Sequence, residues 1–132
     1  MTDSEVMDKQ ARSRALFTLI TIAYNNLPGL EKTAASILQQ GFDRFDWIII
    51  DGGSDDGTFS YLNSLPQYVR WLSEPDDGIY HAMNKGLEMV EQTDSYVLFL
   101  NAGDTLAEPQ TLQSLADFIQ DHPTRPDFIY GD

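Results

Sequence analysis

Apolar and polar positions follow two rhythms along this chain. Leu16–Ala23 is an unbroken run of apolar residues and threonine, the pattern of a strand buried on both faces. The run breaks at Tyr24, Asn25, Asn26 and Leu27, and Pro28 suits the first turn of a helix. Leu30, Ala34, Ile37 and Leu38 recur at helical spacing on one face, and Gly41 supplies a stop. Trp47–Ile50 predicts a second strand, ended abruptly by Asp51-Gly52-Gly53-Ser54-Asp55-Asp56-Gly57. A short helix over Thr58–Leu65 closes at Pro66, and Val69–Leu72 predicts a third strand. Ile79–Glu91 puts Ala82, Met83, Leu87 and Val90 on one helical face. Tyr96–Leu100 predicts a fourth strand, Pro109–Gln120 a further helix, and Phe128–Tyr130 a short last strand.

Strands alternating with helices imply an α/β fold: a mostly parallel sheet with helices on both faces. In such sheets the ligand crevice lies beyond the carboxyl ends of the strands. This sequence places its distinctive polar residues at those ends: Tyr24-Asn25, Asp51, Asp76-Asp77 and Asn101 to Asp104. Four successive strand ends rich in Asp, Asn and Gly converge on one site. Residues 1–15 read as a mobile leader and residues 16–132 as one domain.

Charge sharpens what that site can hold. Of 132 residues, 8 are basic and 21 acidic, a formal net charge of −13. In the leader, Asp3, Glu5 and Asp8 offset Lys9, Arg12 and Arg14, so the excess sits on the domain. No basic stripe is present, which argues against nucleic acid as a partner. The absence of cysteine excludes disulfides, zinc-thiolate sites and thiol nucleophiles. No apolar run approaches the roughly 20 residues needed to cross a bilayer, and the first fifteen residues lack a signal core. A cytoplasmic location is the expectation.

A phosphate-bearing ligand in an acidic crevice needs another source of positive charge. Gly52, Gly53 and Gly57 offer a backbone cradle, but Asp55 and Asp56 beside them repel an anion. A bridging Mg²⁺ or Mn²⁺ fits, since these hard ions take one or two carboxylates, water and phosphate oxygens. Asp104 is the best single ligand, or else it caps the helix that follows. Asp51 either accepts hydrogen bonds from a ring or a ribose, or starts an Asx-turn. Tyr24 either stacks on a flat ring or rims the core. Trp47 and Trp71 read as core, and His81 as a surface or packing histidine. Neither His81 nor His122 has a nucleophile elbow in context. A phosphoacceptor receiver domain would want an acidic pair where Tyr24-Asn25-Asn26 stands.

Four stretches in order resemble family 2 inverting glycosyltransferases with the GT-A fold. They are Phe17–Asn25 (FTLITIAYN), Trp47–Thr58 (WIIIDGGSDDGT), Glu74–Gly86 (EPDDGIYHAMNKG) and Leu98–Asp104 (LFLNAGD). The last two are similar to the exopolysaccharide and colanic acid branch. The resemblance implies a Rossmann-like domain that binds a nucleotide-diphospho-sugar donor across the strand ends. It implies Tyr24 against the base and Asp51 on base or ribose, with Ile22, Asn25, Gly53 and Asp77 on the donor side. Asn84 and Lys85 fall on the family's donor-side helix, with Lys85 toward a phosphate. Asn101 and Gly103 stand in the place of the family's DxD-type motif, with Asp104 at the metal, Mn²⁺ or Mg²⁺. The implied reaction is metal-assisted, inverting transfer to a polysaccharide or lipid-linked acceptor, with peripheral attachment to the inner face of a membrane. The acceptor half and its general base are expected beyond Asp132, so the chain reads as C-terminally truncated. The alternative is a truncated module that binds a sugar nucleotide without transferring the sugar.

Overall fold

The structure, a computed structural model, describes residues 15–91 and 94–121. The leader up to Arg14, His122 and the strand expected near Phe128–Tyr130 lie outside the described residues. Four strands and four helices alternate as the sequence predicts: β1 (Phe17–Ala23), α1 (Leu27–Leu38), β2 (Phe45–Asp51), α2 (Thr58–Asn63), β3 (Arg70–Ser73), α3 (Ile79–Glu88), β4 (Tyr96–Phe99) and α4 (Thr111–Gln120).

The strands form one all-parallel sheet in the order β3-β2-β1-β4. Ile20 pairs with Ile48 on one side and with Phe99 on the other. The chain moves outward from β1 through β2 to β3, then returns to the far side of β1. Crossovers between parallel strands keep one hand, so reversing direction moves the connecting helix to the opposite face. The two cores show this. Phe17, Leu19, Trp47 and Ile49 pack with Leu30, Ala34 and Ile37 of α1, Leu62 of α2, and Leu112, Ala116 and Ile119 of α4. Ile20, Ile48 and Ile50 face the other way, onto Ala82 of α3.

The central strands read as one continuous apolar run because both faces are covered. Trp47, Ile48, Ile49 and Ile50 have no solvent exposure. Trp47 also settles its one polar atom, Nε1–H donating to Thr21 Oγ1 at 3.0 Å. Trp71 is half-buried and meets Phe59 edge to face, 5.5 Å between ring centres. On α3, Gly86 allows helix and sheet to close. A Cβ there would lie 2.6 Å from Ile20 Cγ2.

The periodic reading fails at two helical positions. Leu38 and Leu87, both placed on apolar faces by spacing, are 43% and 44% exposed. Each sits near the carboxyl end of its helix. Conversely, Thr33 and Ser36 of α1 are buried although the sequence marks them polar. α1 thus buries an apolar strip and a polar one side by side.

Candidate functional site

The switch in strand order falls between β1 and β4, where a doubly wound sheet opens its crevice at the carboxyl ends. The end of β1 is the hub of that crevice. Tyr24, Asn25 and Asn26 each reach a different neighbouring segment.

Tyr24 is 64% exposed, so it is not a rim of the core. A Cβ built on Gly52 would lie 3.2 Å from its ring and 3.0 Å from Asp76 Oδ2. The missing side chain of Gly52 therefore leaves the gap in which ring and carboxylate meet. Asp76 holds its own turn through Oδ1, which accepts the Gly78 amide at 3.0 Å. Gly53 adopts φ +86° with its Cα side against Pro75, a left-handed position where a side chain is strained.

Asn25 ties β1 to the loop after β2. Its amide donates to Ser54 Oγ at 2.7 Å, and its Oδ1 accepts the Asp55 amide at 2.9 Å. Its φ of +47° is one that Asn tolerates better than most residues. Two acids of this stretch, Asp51 and Asp56, are engaged with their own neighbourhood, while Asp55 is exposed. Asp51 has no solvent exposure, and its carboxylate accepts from the Ser54 amide, the Ser54 hydroxyl and the Ser73 hydroxyl. Asp56 accepts the Leu27 amide at the start of α1, and the Thr58 amide and hydroxyl at the start of α2. The Thr58 hydroxyl, with the Leu27 amide next, holds the Asp56 carboxyl below the usual carboxylate range.

Asn26 faces the other side. Its Oδ1 caps α1 by accepting the Gly29 amide, and its Nδ2 donates to the Ala102 carbonyl at 3.3 Å. The carbonyl of Ile22 accepts the Ala102 amide, which carries the β1–β4 pairing past the end of β4. The turn Asn101–Asp104 follows. Asp104 Oδ2 accepts the Asn101 amide at 3.1 Å, and the Asp104 amide donates to the Asn101 carbonyl. The carboxylate is exposed and closes this turn rather than capping α4. Asn101 Oδ1 is buried with no hydrogen-bond partner.

The remaining expected residues divide. The Lys85 ammonium donates to Glu74 Oε1 at 2.9 Å and to the Pro75 carbonyl at 3.0 Å, and its side chain is 13% exposed. The lysine assigned to a phosphate therefore ties down the β3–α3 loop. Asn84 lies on the exposed side of α3. The Asp77 carboxylate is 97% exposed, and its amide donates to His81 Nδ1. Asp76, not Asp77, faces the Tyr24 corner. The sequence reading gave no role to Thr33, Ser36 and Gln40, which bond the segment after β4. Their spacing of three and four was the available signal.

No group of three or more His, Cys, Asp or Glu side chains converges on one point among the described residues. The residues present still fit a hard divalent ion, because Asp104 and the unpartnered Asn101 Oδ1 put oxygen donors on one turn. No described helix is long and apolar enough to cross a membrane.

The chain belongs to glycosyl transferase family 2, whose family model matches residues 18–126. An uncharacterized glycosyltransferase of Mycobacterium tuberculosis is 37% identical over 104 residues, covering 77% of this chain and 39% of that protein. A PGL/p-HBAD biosynthesis glycosyltransferase of Mycobacterium bovis is 34% identical over 121 residues, covering 89% and 46%. The chain thus spans less than half the length of these relatives. Among solved structures, S. aureus TarS in complex with UDP-GlcNAc superposes with a TM-score of 0.69 at 25% identity, over 80% of this chain and 31% of that one. A mannosyltransferase from Pyrobaculum calidifontis, in complex with GDP-Man and Mn²⁺, gives 0.69 at 21% identity over 91% and 40%, a likeness of fold.

Proposed function

We propose, from membership of glycosyl transferase family 2, that the strand-end crevice binds a nucleoside diphospho-sugar with a divalent cation and presents it for glycosyl transfer. One observation carries this reading: the end of β1 joins a ring-and-carboxylate corner on one side to a turn with uncommitted oxygen donors on the other. A flat base can stack on Tyr24 with Asp76 Oδ2 as a hydrogen-bond acceptor. The family resemblance adds Ile22, Asn25, Gly53, Asp77 and Asn84 to the donor side, with Asp77 and Asn84 exposed to solvent. Asp51 acts through Ser54 and Ser73, since its carboxylate is buried and already accepts three hydrogen bonds.

Charge supports the cation. Lys85 is paired with Glu74, and the crevice is otherwise lined by carboxylates. A pyrophosphate at the strand ends therefore lacks a free side-chain cation near its path among the residues assigned to the site. Asp104, with Asn101 beside it and Gly103 in the turn, would hold Mn²⁺ or Mg²⁺, waters and phosphate oxygens completing the set. Such an ion, when bound, neutralises the charge that develops on the leaving nucleoside diphosphate.

The finer reading follows the resemblance. The transfer is inverting, and its general base comes from outside the described residues, as the length of the relatives supports. The acceptor is a polysaccharide or a lipid-linked glycan, in exopolysaccharide synthesis at the inner face of a membrane. The relative named for minor teichoic acid biosynthesis in Bacillus subtilis, 30% identical over 113 residues, supports a polymeric acceptor.

Calorimetric titration of the chain with UDP and with GDP, each with and without Mn²⁺, tests the donor site. Binding to one of them that Mn²⁺ strengthens is the expected result. Absence of binding under all four conditions overturns the reading.

A further inference from the structure

We propose that Thr33 and Ser36 of α1, with Gln40 just past its end, are positioning residues that hold the segment from Asn101 to Leu112 and thereby aim the Asp104 carboxylate. This rests on the reading of Asp104 as the cation ligand. The three residues are spaced by three and four, Thr33 and Ser36 on the helix beside the apolar strip of Leu30, Ala34 and Ile37, and Gln40 two residues past its end.

These three residues carry hydrogen bonds of fixed direction. The Ser36 hydroxyl donates to the Thr33 carbonyl at 2.8 Å. The Thr33 hydroxyl lies 3.1 Å from the Gly29 carbonyl and 3.3 Å from the Asn101 carbonyl, either of which takes its proton. With the hydroxyl protons so directed, both oxygens act as acceptors. Thr33 Oγ1 accepts the Gly103 amide at 2.9 Å, an amide it shares with the Gly29 carbonyl at 3.1 Å, and Ser36 Oγ accepts the Leu106 amide at 3.1 Å. Past the helix end, Gln40 Nε2 donates to the Glu108 carbonyl at 2.8 Å while its Oε1 accepts the Leu112 amide at 3.1 Å.

The segment between β4 and α4 has no ladder of its own to satisfy these amides. A buried amide without an acceptor is costly, so α1 supplies what regular structure would otherwise provide. Two of the anchors lie close to Asp104: Gly103 precedes it and Leu106 is two residues beyond it. A helix face needed only for packing would bury apolar residues here. Instead Thr33 is fully buried and Ser36 nearly so, and each hydroxyl oxygen accepts an amide of the segment after β4.

The test compares the intact chain with Thr33→Val, Thr33→Ser and Ser36→Ala. Nucleoside diphosphate affinity is measured with and without Mn²⁺, and amide hydrogen exchange is followed at Gly103, Leu106 and Ile49. Thr33→Val is expected to lower the Mn²⁺-dependent affinity about 10- to 100-fold, the usual effect of losing a partner that orients a metal ligand. Metal-free affinity should be unchanged, exchange should quicken at Gly103 and Leu106 but not at Ile49, and Thr33→Ser should restore both. Unchanged Mn²⁺-dependent affinity, or equal losses with and without metal, overturns the proposal. Ser36→Ala, a mild change in a helix, repeats the comparison if Thr33→Val does not fold. Should the unaltered chain show no Mn²⁺ dependence, the cation reading fails by itself. Exchange at Gly103 and Leu106 then decides the anchoring role, and unaltered exchange rejects it.

Discussion

The loop after β2 and the turn after β4 both carry carboxylates at the mouth of the same crevice, yet they handle them in opposite ways. Between residues 51 and 58, Asp51 and Asp56 engage their oxygens with hydroxyls and amides of the loop and of two helix starts. In the turn after β4, Asp104 accepts one backbone amide through Oδ2, its exposed carboxylate keeps a second oxygen, and Asn101 Oδ1 beside it is without a partner. In the first stretch the fold has used the lone pairs of Asp51 and Asp56, and in the second it leaves oxygens without a protein partner. Counting acids along a sequence does not show this, because it depends on which lone pairs the fold has already used.

Substitutions that remove each carboxylate should separate the two loops. The largest loss of stability is expected for Asp51→Ala, which leaves a buried amide and two hydroxyls without their acceptor. A cost of about 2–4 kcal/mol, read as a lower midpoint in urea or heat, follows from hydrogen bonds to a charged group. Asp104→Ala should lose at most about 1 kcal/mol of stability, since one amide bond to an exposed group is removed. The same variant should lose Mn²⁺-dependent nucleotide binding altogether. If Asp104→Ala unfolds the chain while Asp51→Ala leaves it intact, the division of roles is reversed.

Tyr24→Ala probes the corner between the loops. Loss of a stacked base should weaken nucleoside diphosphate binding by about 1–3 kcal/mol, measured without metal so that Asp104 is not involved. Unchanged affinity would leave Tyr24 with no part in binding. The smallest effect is expected from Asp56. Its carboxyl is held below the ordinary aspartate value of about 3.9, so the folded state favours the ionised form. That contribution is complete above the unfolded value and is lost as pH falls through the lower folded value. Acid unfolding of Asp56→Asn should therefore be less steep than that of the unaltered chain below about pH 4. Parallel acid limbs in the two proteins would show that Asp56 does not couple the starts of α1 and α2.

Much of the fold was legible because its signals are local. The apolar runs Phe17–Ala23 and Trp47–Ile50, the break at Asn26-Leu27-Pro28 and the glycines after the strands place the elements within a few residues. Helix ends were the weak points. Spacing carries α3 on to Glu91 and puts Leu38 and Leu87 in the core, because periodicity marks a face but not which of its residues the neighbouring elements reach. The strand ends were legible as the place where the polar residues gather, and there Tyr24 and Asp104 kept their exposure. Lys85 did not. Its free ammonium in the sequence is paired with Glu74, eleven positions earlier, only because β3 and α3 fold back on each other.

The sequence by itself determined the alternation of elements, the parallel sheet it implies, the acidic character of the crevice and the family to which the chain belongs. These depend on composition and on spacing within a turn or a strand, and such information is local in the chain. Only the tertiary structure decided which oxygens remain available there. Thr33 reaches Gly103 seventy positions away, Ser54 and Ser73 close on Asp51, and Gly52 leaves room for Tyr24 and Asp76. Hydrogen bonds extend about 3 Å, so their partners are set by how distant segments pack. That packing leaves Asp104, rather than the carboxylates of Asp51 and Asp56, open to a ligand.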